Sequence, residues 1–174
     1  DVAPGFVGAA AGVPGPVSFR EGVPVSPPIM PGWNLFPVRE TFGAELGCPM
    51  LVDNDVNIMA LGERHAGIAK SVDDFLFVKI GTGIGCGIVV GGEIYRGVSG
   101  SAGDIGHIRV AGRDDVICRC GNLGCLEAVA GAGTIAVRLA QAGVQAGNGL
   151  DVVRMVRGGD PRAIMLVREA GRSL

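Results

Sequence analysis

The stretch that decides the reading is Val78-Lys79-Ile80-Gly81-Thr82-Gly83-Ile84-Gly85-Cys86-Gly87-Ile88-Val89-Val90. Apolar, β-branched runs flank a glycine-rich centre, so two strands are joined by a turn of bare backbone. Phe75–Ile80 is expected as the first strand, Gly81–Gly85 as the loop and Gly87–Val90 as the second strand. Such a turn presents successive N–H groups that can cradle an anion, and Thr82 adds a hydroxyl. It is no Walker loop, because Gly-Lys-Ser/Thr is absent, and no Rossmann fingerprint, because a strand follows and not a helix. A tight β-turn with no ligand explains the glycines equally well.

Just past this segment, Gly91-Gly92 predicts a hairpin turn into Glu93–Arg96. Upstream, Gly5–Val13 reads as a buried strand with no earlier strand to pair with, and Gly22–Pro37 as an ordered, proline-rich surface loop anchored by Met30 and Trp33. Val38–Leu46 predicts a helix, Met50–Val52 a strand, and Asp53 or Asn54 the cap of a helix running to Ala66. Downstream, Gly97–Gly106 is a loop and His107–Val110 a short strand. Helices are expected at Leu126–Ala130, Thr134–Gln141, Asp151–Val156 and Pro161–Ala170. The class is α/β. Both ends look cut, which points to a piece of a longer protein.

Composition narrows the function. The chain has 174 residues, 48% hydrophobic and 18% charged, enough for a sizeable core. Its net charge of −2 gives no drive for binding a phosphate backbone. The longest uncharged stretches, Val2–Phe19 and Gly22–Val38, are broken by prolines, so neither reads as a membrane span. No basic segment precedes an apolar run at the N-terminus, so a cytoplasmic protein with reduced thiols is expected.

Two clusters carry chemistry. Three of the five cysteines, Cys118, Cys120 and Cys125, fall close together, with Gly121 and Gly124 between them. With His107 they make a Cys₃His set, the closed tetrahedral set of a structural zinc ion. Three buried or reactive thiols without metal are the alternative. Arg119 is placed to help keep the thiolates ionised. Cys86 and Cys48 read as small apolar residues, and His65 as solvated. The second cluster is Val52-Asp53-Asn54-Asp55-Val56-Asn57, at a strand-to-helix junction where ligands bind in α/β sheets. Asp55 stays ionised near a helix N-terminus and could take a proton from a hydroxyl. Asn54 and Asn57 could bind hydroxyls. Helix capping is the ordinary use of all these residues.

The motifs Ile80–Gly87, Gly97, Ala102-Gly103-Asp104-Ile105-Gly106-His107 and Cys118-Arg119-Cys120-Gly121-Asn122-Leu123-Gly124-Cys125-Leu126-Glu127 resemble the ROK family of sugar kinases and transcriptional repressors. Asp53-Asn54-Asp55-Val56-Asn57 is similar to that family's segment around its catalytic aspartate. The resemblance runs from about Val7 to about Ala170. It implies an actin-like, hexokinase-type ATPase fold with a ribonuclease H-like motif, residues 1–20 ending the first lobe and 21–174 forming a sugar- and zinc-binding lobe. It implies Asp55 as the catalytic base, and Asn54, Asp55, Asp104, His107 and Glu127 as sugar ligands. Gly81, Thr82, Gly83 and Gly85 would bind phosphate, and His107, Cys118, Cys120 and Cys125 would bind zinc. The ion would fix Glu127 just past the cysteine loop.

Three departures follow. The family's first phosphate hairpin is missing. So are the adenosine-side glycine segment and the closing helix. Asp104 stands where the family usually has Glu, one methylene longer. The function implied is a sugar-sensing effector domain of a ROK regulator, with DNA reached only through an upstream domain. The alternative is a ROK kinase that uses ATP and Mg²⁺ in the full-length protein. A zinc-stapled interaction module with no ligand is the bland third reading. A homo-oligomer is usual for the family.

Overall fold

The computed structural model describes residues 7–174, so Gly5 and Phe6 of the expected first strand lie outside the described residues. The strands are β1 (Ala9–Val13), β2 (Val17–Ser18), β3 (Val23–Pro24), β4 (Met50–Asn54), β5 (Phe75–Ile80), β6 (Ile84–Val90) and β7 (Glu93–Ile94). The helices are α1 (Val38–Leu46), α2 (Asp55–Ala66), α3 (Leu126–Ala130), α4 (Ala132–Gln141), α5 (Gly149–Arg157) and α6 (Pro161–Ser173). Short 3-10 turns lie at Pro31–Trp33 and Ile105–His107. The described chain divides into two compact units. One holds the residues up to Val78 with Cys86–Asp104, the other Lys79–Gly85 with Ile105–Leu174. Among the described residues no helix is long and apolar enough to cross a membrane.

In the first unit β1 does have a partner. It pairs in parallel with β4, with Ala11 opposite Val52 and Val13 opposite Asn54. The partner comes later in the chain, across α1, so a search upstream could not find it. This pairing puts strands from both sides of residue 20 in one sheet. The small residues of β1 have a packing reason: a Cβ on Gly12 would sit 3.2 Å from the Asp55 Cα and 3.3 Å from the Ile58 side chain. Gly47, in the left-handed region at φ 64°, ends α1 as expected. Val13, Val17, Val38 and Val52 form one core, with Met30, Phe36 and Met50 against it. Met30 is therefore an anchor. Trp33 keeps 37% of its surface and stands with Phe42 and Met50 at an apolar cavity of about 320 Å³.

A three-stranded sheet has the order β5-β6-β7, with β6 and β7 antiparallel. Gly91 and Gly92 turn the hairpin at φ 59° and 80°, as their sequence predicts. β6 begins at Ile84, so Gly85 lies inside the strand and the glycine turn shrinks to Gly81–Gly83. Glycine is tolerated in β6 where another backbone comes close. At Gly87 a Cβ would sit 2.6 Å from the Ala60 Cβ and 3.0 Å from the Val56 oxygen, both on α2.

The second unit is helical. Ala163, Leu166 and Ala170 of α6 bury one stripe against Ile135, Ala136 and Leu139 of α4, and Val152 of α5. Asn148 and Asp151 form a capping box at α5, and Asp160 caps α6 ahead of Pro161. The expected strand at His107–Val110 is not formed. His107 ends a 3-10 turn, and within the segment Arg109 bridges to Cys125.

Candidate metal centre and ligand site

The cysteine loop folds back on itself through local bonds. Ile117 bridges Leu123, the Cys118 amide donates to the Asn122 oxygen at 2.8 Å, and the Gly121 amide donates to the Cys118 oxygen at 2.9 Å. Gly121 and Gly124 take φ of 91° and 69°, so the turn needs glycine at both. The loop gathers the four side chains singled out in the sequence. The ligand atoms of His107, Cys118, Cys120 and Cys125 all lie within 4.8 Å of one another, and this group could hold a metal ion.

The donor set fits a tetrahedral ion. Sulfurs about 2.3 Å from zinc stand about 3.8 Å apart at tetrahedral angles. The Cys120 and Cys125 sulfurs are 3.7 Å apart, and the Cys118 sulfur is 3.6 Å from the His107 Nδ1. Electrostatics agree. Burial, then the neighbouring thiols, push the Cys125 thiol up to about 12. Burial also raises Cys118. Burial of Cys120 is outweighed by the Asn122 amide and the other thiols, which lower it. Three thiolates cannot share this space unaided, and a dication removes the conflict. The leading causes are burial, amides and sulfurs, not the Arg119 charge expected to help.

The cluster is joined to a carboxylate. Cys125 is the residue before α3, and Glu127 lies in the first turn of that helix. The Leu126 amide donates to the Ile108 oxygen at 2.9 Å, tying the start of α3 to the residue after His107. The Glu127 Oε2 accepts from the Ile84 amide at 3.2 Å. Gly83 is glycine for the same reason, since a Cβ there would collide with that Oε2 and stand 3.1 Å from the carboxyl carbon. The Ala132 amide donates to the Gly81 oxygen at 2.8 Å, and Gly133 packs on the Thr82 methyl. The Glu127 carboxylate thus sits on the amide directly after the glycine turn, at the start of β6.

In the first unit the β4–α2 junction carries Asn54 and Asp55. Asn54 is the cap of α2: its Oδ1 accepts from the Val56 and Asn57 amides at 2.9 and 3.2 Å, and its Nδ2 donates to the Gly15 oxygen at 2.9 Å. Among the described residues Nδ2 donates to that one acceptor, although it carries two hydrogens. Asp55 is the acidic residue of the first turn of α2. Asn57 is buried, and among the described residues its Oδ1 has no hydrogen-bond partner. Asp104 follows Gly103, whose φ of 90° and whose approach to the Cys86 oxygen exclude any side chain. The residues that sequence reasoning missed are Arg96 and the true role of Asp53. Asp53 is buried and paired with Arg96 at 2.7 Å. The partners are 43 residues apart, beyond any local pattern.

A sequence model of the ROK family matches residues 1–174. The glucokinase of Halalkalibacterium halodurans is 42% identical over 139 residues, covering 80% of this chain and 42% of that protein. A putative xylose repressor of a Caldicellulosiruptor species is 42% identical over 123 residues, covering 71% of this chain and 30% of the repressor. The crystal structure of a ROK family glucokinase from Streptomyces griseus, in complex with glucose and AMPPNP, superposes with a TM-score of 0.82 at 30% identity, covering 93% of this chain and 57% of that one. The chain spans less than half the length of the two curated relatives.

Proposed function

The chain belongs to the ROK family, and from that premise we propose that it is the sugar-binding effector domain of a transcriptional regulator, holding a hexose-type ligand in a zinc-stapled pocket. Its α/β fold is the actin-like, hexokinase-type fold of its ROK structural relatives. The observation that carries the proposal is the route from the Cys₃His cluster through Cys125 into α3, where Glu127 is held on the Ile84 amide.

In this reading His107, Cys118, Cys120 and Cys125 hold zinc, which supplies a cross-link and no chemistry on the ligand. Asn54, Asp55, Asp104, His107 and Glu127 bind the sugar. Carboxylates accept from its hydroxyls, and the second Asn54 amide hydrogen donates. The sugar selects one arrangement of the whole protein and so changes its affinity for DNA, which another segment contacts. A cytoplasmic homo-oligomer is the expected setting.

A second reading is favoured by Asp55, a carboxylate in the first turn of α2. A sugar kinase needs such a base. Asp55 takes the proton of the attacking hydroxyl, the sugar oxygen bonds the γ-phosphorus of ATP, the bond to the β-phosphate oxygen breaks, and ADP leaves with Mg²⁺. Gly81, Thr82, Gly83 and Gly85 would then lie along the phosphates.

Full-length, zinc-loaded protein decides. Heat on titration with D-glucose or D-xylose, without ATP turnover, and a sugar-dependent change in operator binding support the regulator. Turnover in a coupled ATP assay that is lost in Asp55→Asn, with sugar heat retained, supports the kinase. Neither heat nor turnover sinks both.

A further inference from the structure

The carboxylate of Asp53 takes no part in the function proposed above, yet it is one of two buried polar or charged residues in the chain's described part, the other being Asn57. All of its acceptor positions are filled. Oδ1 accepts from the Asn54 amide at 2.7 Å and from Asn57 Nδ2 at 2.9 Å. Oδ2 accepts from Arg96 Nε at 3.0 Å and Nη2 at 2.7 Å. The Arg96 guanidinium lies over the Phe19 ring, 3.9 Å from its centre. That stack fixes the plane of the fork.

The backbone of the same arginine holds a different segment. The Ala102 amide donates to the Arg96 oxygen at 3.1 Å, closing the loop that ends in Asp104. The Cys86 amide donates to the Gly103 oxygen at 2.8 Å, pinning that loop on β6. Gly97, at φ 68°, lets the chain turn directly after the arginine, and a Cβ there would sit 3.3 Å from the Ala102 Cβ. Arg96 therefore grips the Asn54–Asp55 junction with its side chain and the Asp104 loop with its carbonyl.

Stability alone is a poor reason for this arrangement. Asp53 is buried and the Arg96 side chain keeps 26% of its surface, and replacing both members of a buried ion pair with apolar side chains of similar volume is often neutral or stabilising. What a pair with every acceptor satisfied fixes is relative position. We propose that Arg96, through Asp53, is a positioning residue for ligand recognition, setting the register between the Asn54–Asp55 junction and the loop that carries Asp104. The inference rests on the sugar-binding reading of those three residues and deepens it. It applies to regulator and kinase alike, since both must first hold the sugar.

The test uses full-length, zinc-loaded protein and calorimetric titration with D-glucose and D-xylose. Arg96→Lys keeps the charge and loses the two-point grip. Arg96→Met removes the charge and keeps an apolar body over Phe19. Each is expected to raise Kd for the bound sugar about tenfold or more, with zinc content unchanged. Arg96→Met leaves the buried Asp53 carboxylate without its cation and lowers Tm as well, whereas Arg96→Lys keeps a cation beside it and carries the comparison at a Tm closer to wild type. In an Asp104→Ala background the same changes should add little, because the register they disturb has lost its use. A merely structural role moves Tm, leaves Kd alone and gives additive effects. The inference falls if the wild type binds sugar and both Arg96 variants bind equally well, or if the cycle is additive. If folded, zinc-loaded wild type binds neither sugar, the sugar reading fails first and takes the inference with it.

Discussion

Replacing Gly83 with alanine probes the proposed sugar carboxylate without touching it. Gly83 lies outside the left-handed region, so the backbone accepts alanine. The atoms a new Cβ meets are Glu127 Oε2, its Cδ at 3.1 Å and its Oε1 at 3.8 Å. All belong to the far end of one flexible side chain, which swings away while the fold stays. The stability terms oppose each other. Alanine restricts the unfolded chain by about 0.4–1 kcal/mol in favour of folding, and the lost Ile84 bond to a charged acceptor costs about 1.5–3 kcal/mol. The net loss is about 1–2 kcal/mol, a Tm drop of roughly 2–8 °C for a chain of this size. Binding should suffer more visibly. One charge-assisted bond to a sugar hydroxyl is worth about 1.5–3 kcal/mol, so its loss raises Kd by roughly 10- to 100-fold. Calorimetric titration of the full-length, zinc-loaded variant reads this directly. Adding Glu127→Asp, one methylene shorter, makes room for the new methyl and should recover part of the affinity. An unchanged Kd in Gly83→Ala, with zinc intact, would refute both the placement of Glu127 and its role.

Two further outcomes follow from the same geometry. The protein should carry about one zinc per chain by elemental analysis, and Cys120→Ser should lose it to a chelator faster than wild type. Sugar affinity should fall with the metal and return on adding zinc, so full affinity in zinc-free protein would count against the staple. The Asp160 carboxylate is held below the ordinary range, chiefly by the Ala163 amide and then by Arg162. The unfolded chain therefore binds its proton more readily, and the stability this group contributes is present above the ordinary carboxylate pKa and lost as pH falls toward the folded value. Asp160→Asn keeps a capping oxygen but removes the titration. Its Tm should decline less steeply than wild type below about pH 4, and identical acid limbs would remove Asp160 from the account.

Features written locally were legible in the sequence. The cap at Asn54, the stop at Gly47, the Gly91-Gly92 turn and the Asp160-Pro161 start each depend on neighbours within a few residues, and each stands where its residues put it. The Cys₃His set was legible too, because three of its ligands share one loop and glycines mark its turns. Long-range features were not. Nothing near Ala9–Val13 names β4 as its partner. Nothing near Asp53 names Arg96. The glycine turn is ambiguous for a different reason. Its glycines fit an outside anion, and Gly83 also makes room for the Glu127 carboxylate. A glycine reports that something comes close, without saying whether it comes from solvent or from the same chain.

That distinction bears on the choice between regulator and kinase. The glycine turn cannot separate them, because a protein that only binds sugar has its own use for Gly83 and the Ile84 amide in seating Glu127. The metal cluster cannot separate them either, since a staple serves any ligand site built on α3. Asp55 can. A binding domain needs it at most as one acceptor among several, so Asp55→Asn, which keeps an acceptor oxygen, should cost a regulator little. A kinase needs its basicity, which the amide lacks, and loses about 10²–10⁴-fold in turnover with the general base. The same substitution thus leaves sugar heat in both cases and abolishes product in one. Product formed at the wild-type rate by Asp55→Asn would remove Asp55 as the base.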